Sequence, residues 1–452
     1  MHFSKTYAQL LADLPPELSE TAVQYRQLKR LINQLVSELA LLGLGPTVLQ
    51  DLLQTGVDAA AEGTLTDGPR AVYEFNDNNS GSIEPRLRLW VDPPPHDPLE
   101  ADDEEAGNGL LRTLQRHVPP AVDAENKLEI VIPLASDAAF FQLLGTTLQA
   151  LSDHLLTMQA QFVKTLRQLT VTVSDSARPV SYTSTSFRAH SALRSNAGGV
   201  RVSASSKSDL YAWREIFQLY VETEIFESVG DRNRQDHSVD ECEKRLKQFT
   251  DQVAERGLSG ADKLKLPRSR QALQSFLQLN RFILNVKKFE LANAEATRKI
   301  LKKHAKRTAL PAPDADSPPA RALLPLRDAS LPRILVQELG TTLLPVIPSL
   351  DDYACLICTS IAFKPIRLAC GHLFCVRCLV KMQKRGDAQC PMCRAPCVLR
   401  ADRSNVDWAL LNFMRDWFPQ ESTLKLQQNE REAAREDLEA MGLDPDARCV
   451  VA

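Results

Sequence analysis

No apolar run in this 452-residue chain approaches the ~18 residues that a membrane-spanning helix needs. The opening MHFSKTYAQL also lacks the unbroken apolar core of a secretory signal. The expectation is a protein of the cytosol, the nucleus or both. An excess of one charge is missing too: the formal net charge is −3, so no global field draws nucleic acid, and an anion would have to be held by a local basic patch. Cysteine is scarce outside one short run. Of ten cysteines, seven fall between 355 and 393, leaving Cys242, Cys397 and Cys449 as plain thiols, a usage that fits a reducing compartment better than a disulfide scaffold. What remains is 44% hydrophobic and 25% charged, the balance of a soluble globular chain long enough for two or three domains.

The cysteine run is ordered in pairs: Cys355/Cys358, Cys370/His372, Cys375/Cys378 and Cys390/Cys393. Eight thiolate or imidazole ligands suffice for two tetrahedral zinc ions, and a two-residue gap lets one tight turn aim both sulfurs at the same metal. Cys397 stands close enough to compete as a ligand. The loops between the pairs are too short for a core of their own, so zinc must supply much of the folding free energy. Spacing alone leaves the assignment open, because two sequential sites and two interleaved ones fit the same ligands.

The rest of the chain reads as mainly α. Apolar residues at helical spacing (Val23, Leu28, Leu31, Ile32, Leu35, Leu39) predict a long helix over 16–42, starting near Leu18. From 58 to 133 Gly, Pro and acidic residues accumulate; VYEF (72–75) and RLRLWV (86–91) read as a hairpin, with KLEIVI (127–132) as a third strand. A second long helix is predicted over 136–170, a linker or disordered loop over 174–208, and further helices over 209–229, 238–257 and 268–307. A Pro-rich linker follows. After the cysteine run, 405–419 predicts an amphipathic helix whose Trp408, Leu411 and Trp417 pack back on the zinc module, and the stretch from Gln427 is a charged exposed helix or a frayed tail.

Between Arg298 and Arg307, RKILKKHAKR holds six cations and no acid. Lys299, Lys302, Lys303 and Lys306 share one helical face, where they repel one another; a polyanion laid across them would relieve that repulsion through several charge-assisted contacts. A solvated face or a nuclear-localisation cluster accounts for the same pattern. Tyr25 and Lys29, four apart, present a phenol and an ammonium side by side.

The run Cys355 to Cys393 resembles a RING finger in its whole ligand pattern. That resemblance implies a cross-brace, with Cys355, Cys358, Cys375 and Cys378 on one zinc and Cys370, His372, Cys390 and Cys393 on the other. The first 310 residues resemble an SPX domain, a helical module that binds inositol polyphosphates and pyrophosphates. The resemblance is carried by MHFSK with LPPEL, YRQLKR, FFQLLGTTLQ and LANAEATRKILKKHAK. It places the phosphate-binding cluster on Tyr25, Lys29 and Lys303, and the surrounding lysines on Lys299, Lys302 and Lys306. The chain departs from that family at His2, Thr297 and Ala305. The implied plan is an SPX-like bundle over 1–310 with insertions at about 58–133 and 171–208, a linker over 311–350, a small α+β two-zinc RING over 351–400, and a C-terminal helix and tail over 401–452.

What the pairing implies is a ubiquitin ligase that binds a ubiquitin-conjugating enzyme and ubiquitin and has no nucleophile of its own. Ile357, Met382, Pro391 and Met392 would form the apolar docking surface, although many active members carry Trp where this chain has Met382. Arg394 would be the cationic linchpin between enzyme and ubiquitin. The substrate is not legible, though plant proteins with both modules act on phosphate or nitrate transporters. The competing expectation is a non-catalytic inositol-polyphosphate sensor whose zinc module mediates protein interaction. Nucleic acid is not expected as a partner.

Overall fold

The computed structural model describes residues 3–62, 69–77, 83–91, 121–122, 128–179, 208–228, 235–311 and 330–441. The chain forms two compact units: residues 1–161 with 282–335, and residues 162–281 with 336–452. The cuts between them follow residues 161, 281 and 335.

In the first unit, α1 (Phe3–Ala12) and a single turn, α2 (Pro16–Ser19), precede α3 (Tyr25–Leu41) and α4 (Pro46–Glu62). The single helix expected from Leu18 is thus interrupted. The reason is a distant side chain: the Val23 N–H donates to Asn293 Oδ1 at 2.9 Å instead of to a carbonyl one turn back. Asn293 also accepts from the Tyr7 hydroxyl at 2.8 Å, so one buried amide ties α1 and the 20–24 turn to the last helix of the unit. From Tyr25 on the periodicity holds, with Leu28, Ile32, Leu35 and Leu39 buried.

The hairpin and third strand form as expected. Strands β1 (Arg70–Asp77), β2 (Ile83–Val91), β3 (Ala121–Val122) and β4 (Leu128–Pro133) make an antiparallel sheet in the order β1-β2-β4-β3. One face alternates into the core through Ala71, Leu87, Leu89, Ile130 and Ile132, packed with Leu35, Leu39 and Leu49. Helix α5 (Ala135–Ser176) runs six residues beyond its expected end, and the remainder of the loop expected over 174–208 lies mostly outside the described residues.

The second unit holds the rest of α5, then α6 (Leu210–Thr223), a short β5/β6 hairpin (Glu227–Ser228, Gln235–Asp236) and α7 (Val239–Glu255), N-capped by Ser238. Helix α8 (Pro267–Thr308) starts at Pro267, where a missing N–H costs nothing; its first part belongs here and its basic end to the first unit. Trp213, Phe217, Tyr220, Phe249 and Phe276 fill this core.

Part of the expected linker is instead helix α9 (Leu331–Thr342), because Leu331, Leu335 and Leu339, one turn apart, are all buried. The zinc module contains β7 (Pro365–Arg367), β8 (Leu373–Cys375) and α10 (Val376–Lys384), followed by α11 (Trp408–Trp417) and α12 (Pro419–Ala440). Leu410, Leu411, Phe413 and Met414 share one core with Phe363, Phe374 and Val398. Trp408, expected to pack back, is instead 63% exposed at the start of α11. The charged tail is an ordered helix over Pro419–Ala440: Glu432 and Glu436 on α12 pair with Arg377, Lys381 and Lys384 on α10. Tyr211 on α6 donates to Glu421 at 2.7 Å, and Arg214 lies 4.4 Å from the centre of the Phe418 ring. Among the described residues, no single helix is long and apolar enough to cross a membrane.

Glu290 on α8 accepts the Leu331 N–H at 3.0 Å and so caps α9. Burial lifts its carboxyl to about 7, against the pull of those hydrogen bonds. A folded-state value above the unfolded one means that the stability tied to Glu290 is full below the unfolded carboxylate range and is lost as pH rises through about 7. Thermal unfolding of the wild type should therefore show a falling Tm as pH goes from about 5 to about 8, and Glu290→Gln should flatten that slope.

Candidate zinc centre and lysine face

The two zinc-ligand turns are built alike. After Cys355-Leu-Ile-Cys358 the Thr359 N–H donates to the Cys355 carbonyl at 2.8 Å and the Cys355 N–H to the Ser360 carbonyl at 2.7 Å. After Cys390-Pro-Met-Cys393 the Arg394 N–H donates to Cys390 at 2.7 Å and the Cys390 N–H to Ala395 at 2.8 Å. Both turns close through a left-handed residue, Thr359 at φ 55° and Arg394 at φ 62°. Between them β7 pairs with β8, and Gly371, at φ 86°, turns the chain so that Cys370 and His372 come together. Cys375 caps α10, accepting the Cys378 N–H.

The ligands gather in two interleaved sets: Cys355, Cys358, Cys375 and Cys378, and Cys370, His372, Cys390 and Cys393. Within each set all donor atoms lie within 4.8 Å of one another. The sequential alternative therefore does not occur. Zinc–sulfur bonds of about 2.3 Å in a tetrahedron put two sulfurs about 3.8 Å apart, and Cys358 Sγ lies 3.8 Å from Cys375 Sγ, far too long for a disulfide. Such crowded thiols cannot all ionise by themselves. Hydrogen bonds from Cys375 and Cys378 push the Cys355 thiol down, and the same contacts push those two up; a dication removes the conflict. The donor sets fit two zinc ions.

Around the turns, Leu356 is 55%, Ile357 43% and Met392 54% exposed, and Pro391 and Arg394 are exposed beside them. Met382 does not join them. It is 8% exposed and belongs to the module's core, because α10 turns it inward with Leu379 while Arg377, Lys381 and Lys384 face α12. The sequence reading missed Leu356, which a two-residue gap between ligands exposes together with Ile357. Cys397 is buried, with its sulfur 3.5 Å from Cys370 Sγ, so it touches the second set without entering it.

In the first unit Lys303 on α8 lies near Lys29 on α3. Tyr25 is buried against Phe3, with ring centres 5.2 Å apart, and burial raises its hydroxyl pKa. Lys303 is pushed down by burial and by the nearby cations Lys29 and Arg307. Arg307 in turn donates to Asn33 on α3. Lys302 and Lys306 are exposed on the same stretch. Among the described residues Lys29, Lys302, Lys303 and Lys306 have no carboxylate in ion-pair range. Lys299 differs: its ammonium lies 3.1 Å from Glu295 and 4.0 Å from the centre of the Phe3 ring, so part of its charge is already spent. Thr297 and Ala305 are both half-buried on α8; His2 lies outside the described residues.

Comparison with known proteins assigns a family to each of two stretches of the chain. A family model described as the SPX domain matches residues 1–315, and one described as the C3HC4 zinc finger, or RING finger, matches 355–393. The transcriptional regulator of yeast form adherence 3 from Candida albicans is 27% identical over 96% of this chain and 97% of its own. An uncharacterized RING finger protein of Schizosaccharomyces pombe is 30% identical over 96% of each. Over the zinc module alone, an E3 ubiquitin-protein ligase of Arabidopsis thaliana is 43% identical across 49 residues, 11% of this chain and 12% of its own. No solved structure gives a significant match.

Metal analysis of the purified chain should find two zinc ions. A strong chelator should remove both with loss of the tertiary signal from Trp417, which packs against the module's core, and re-adding zinc should restore it; Cys355→Ser and Cys390→Ser should each release one.

Proposed function

The chain belongs to the SPX-domain family and carries a C3HC4 RING finger, and on that footing we propose that it is a RING-type E3 ubiquitin ligase governed by an inositol polyphosphate or pyrophosphate. Ubiquitin ligase names among relatives of the zinc module support the first half of this reading. The lysine face supports the second. Both zinc sites are closed by four protein ligands, so the metal supplies folding free energy and a rigid frame, with no open position for catalysis.

The chain's own residues then act by position. Leu356, Ile357, Pro391 and Met392 offer an apolar patch at the two ligand turns for a conjugating enzyme. Arg394 projects from the second turn, where its left-handed backbone fixes its start, to hold the donor ubiquitin against that enzyme. In the transfer the substrate lysine amine forms the amide as the thioester C–S bond breaks, and the conjugating enzyme's cysteine leaves as a thiol with the proton that the amine loses. The ligase contributes orientation and contributes no covalent nucleophile. The observation that carries the reading is the interleaved ligand geometry, which places both exposed turns on one module. In a cytosolic or nuclear setting the thiols would stay reduced for zinc.

The lysine face suits a compact ligand with several phosphates. Lys29, Lys302, Lys303 and Lys306 stand without counter-charge among the described residues, and Lys303 sits against Lys29 and Arg307; a polyanion converts that repulsion into charge-assisted bonds. One finding favours the non-catalytic alternative, a sensor whose zinc module only binds partners: the burial of Met382 leaves the docking surface to the two turns alone.

Autoubiquitination with a broad panel of conjugating enzymes should occur with wild type and fall by tenfold or more in Ile357→Ala and Arg394→Ala, with zinc content unchanged. Silence of wild type across the panel would decide for the scaffold. Calorimetry with inositol hexakisphosphate should show binding that collapses when Lys29, Lys302, Lys303 and Lys306 become alanine; unchanged affinity would reject the site.

A further inference from the structure

Beneath the lysine face lies a polar cluster that its chemistry does not use. His304 sits on α8 between Lys303 and Lys306, but its ring points inward and is 1% exposed. Its Nε2 lies 2.7 Å from Asp137 Oδ1, and Asp137 itself is fully buried. The other carboxylate oxygen accepts the Tyr73 hydroxyl at 2.5 Å. Phe140 stacks on the imidazole with centres 4.8 Å apart, and Phe141 meets it edge-on. Thr308, one turn on, donates to the His304 carbonyl at 2.8 Å. Three elements thus meet at one carboxylate: the sheet through β1, the start of α5, and the basic end of α8.

Placing such groups out of water is costly, and replacing them by apolar side chains would often stabilise a fold. What they provide instead is directional. Apolar packing tolerates a small rotation of a helix about its axis, whereas a hydrogen bond to a buried carboxylate does not. A rotation of about 10° would move a lysine ammonium by roughly 1–2 Å, enough to spoil simultaneous contacts to several phosphates. His304 is adjacent to Lys303, so fixing its ring inward fixes where Lys303, Lys306 and Arg307 emerge.

We propose that Asp137 is a positioning residue of the lysine face, acting through His304, and that Tyr73 makes the four-stranded sheet part of the same device. This rests on the polyphosphate reading of that face. As a carboxylate, Asp137 only accepts, so the proton on its bond to His304 belongs to Nε2. A phosphate cluster drawing in the lysines loads α8 against this bond, and the sheet is the element to which occupancy is transmitted.

The test uses the full, zinc-loaded chain with inositol hexakisphosphate as the probe, titrated by calorimetry at two salt concentrations. Asp137→Asn keeps the shape and removes the charge; Tyr73→Phe removes only the link to the sheet and leaves the Asp137–His304 pair in place. Asp137→Asn should weaken binding by about fivefold or more while keeping the salt dependence of wild type, because no lysine is lost. Lys303→Ala should instead weaken binding and flatten its salt dependence. Tyr73→Phe should fall between wild type and Asp137→Asn. In histidine-labelled wild type, the His304 Nε2–H resonance, identified by its absence from His304→Gln, should shift when the probe binds; this readout needs no substitution in the binding measurement and stands even if Asp137→Asn fails to fold. Wild-type affinity in both Asp137→Asn and Tyr73→Phe, or an unmoved His304 resonance in a chain that binds, overturns the proposal and leaves the polyphosphate reading standing. No binding by wild type overturns that reading, and this proposal with it.

Discussion

Like charges held close together cost free energy until something of opposite sign joins them, and this chain contains that situation twice. In the zinc module, thiols within 4.8 Å of one another compete for ionisation. On α8, Lys303 is driven down by burial and by Lys29 and Arg307. The two differ in how the conflict is resolved. Thiolate crowding is largely buried in the first set and less so in the second, and a dication bound as part of the fold would answer it. Lysine crowding is only partly buried, at Lys303, and otherwise exposed to water and salt, so the unliganded state survives. One end of the molecule therefore needs its counterion to fold, and the other folds without one.

The same ligand turns that gather the thiols also create the exposed apolar surface proposed for docking a conjugating enzyme. A Cys-x-x-Cys turn aims two sulfurs inward only by forcing the intervening residues out, and the residue after the second cysteine takes up a left-handed backbone to close the turn. Leu356, Ile357, Pro391, Met392 and Arg394 hold their places for that reason. Ligand placement and the exposed apolar patch are thus not separable features of this module: the geometry of the two turns dictates which side chains reach solvent. Met382 lies on a helix, outside that constraint, and its burial shows the difference.

Local spacing was legible in advance, and long-range contact was not. The eight ligands, the hairpin and the lysine stripe depend on residues a few positions apart, so their periods survive in the sequence. The interleaving of the zinc sets could not be read, because two sequential sites satisfy the same spacing; the RING resemblance implied it and the ligand clusters show it. The break between α2 and α3 could not be read either: its cause is Asn293, 270 residues from Val23. Helix α9 was hidden by the prolines around it, although Leu331, Leu335 and Leu339 are one turn apart. Trp408 was misjudged because amphipathic spacing identifies a face but not how far the neighbouring core extends along it.

The zinc module also extends beyond its last ligand, and the reason is electrostatic as well as apolar. Arg377, Lys381 and Lys384 lie on one face of α10, and no residue of the ligand run neutralises them. Glu432 and Glu436 on α12 do. Exposed pairs of this kind contribute little one by one, but Arg377 is largely buried, with its side chain 12% exposed, and removing its partners would leave a cation stranded in a poorly solvated place. Helix α12 is held in turn at its other end, where Glu421 accepts from Tyr211 and Arg214 stacks on Phe418. A helix pinned by α6 at its start and by α10 at its end leaves the zinc module little freedom to rotate on a flexible tether. The orientation of the exposed ligand turns within this unit is therefore set by packed side chains, and a segment cut after the last cysteine would lose the acidic partners of its central helix along with that orientation.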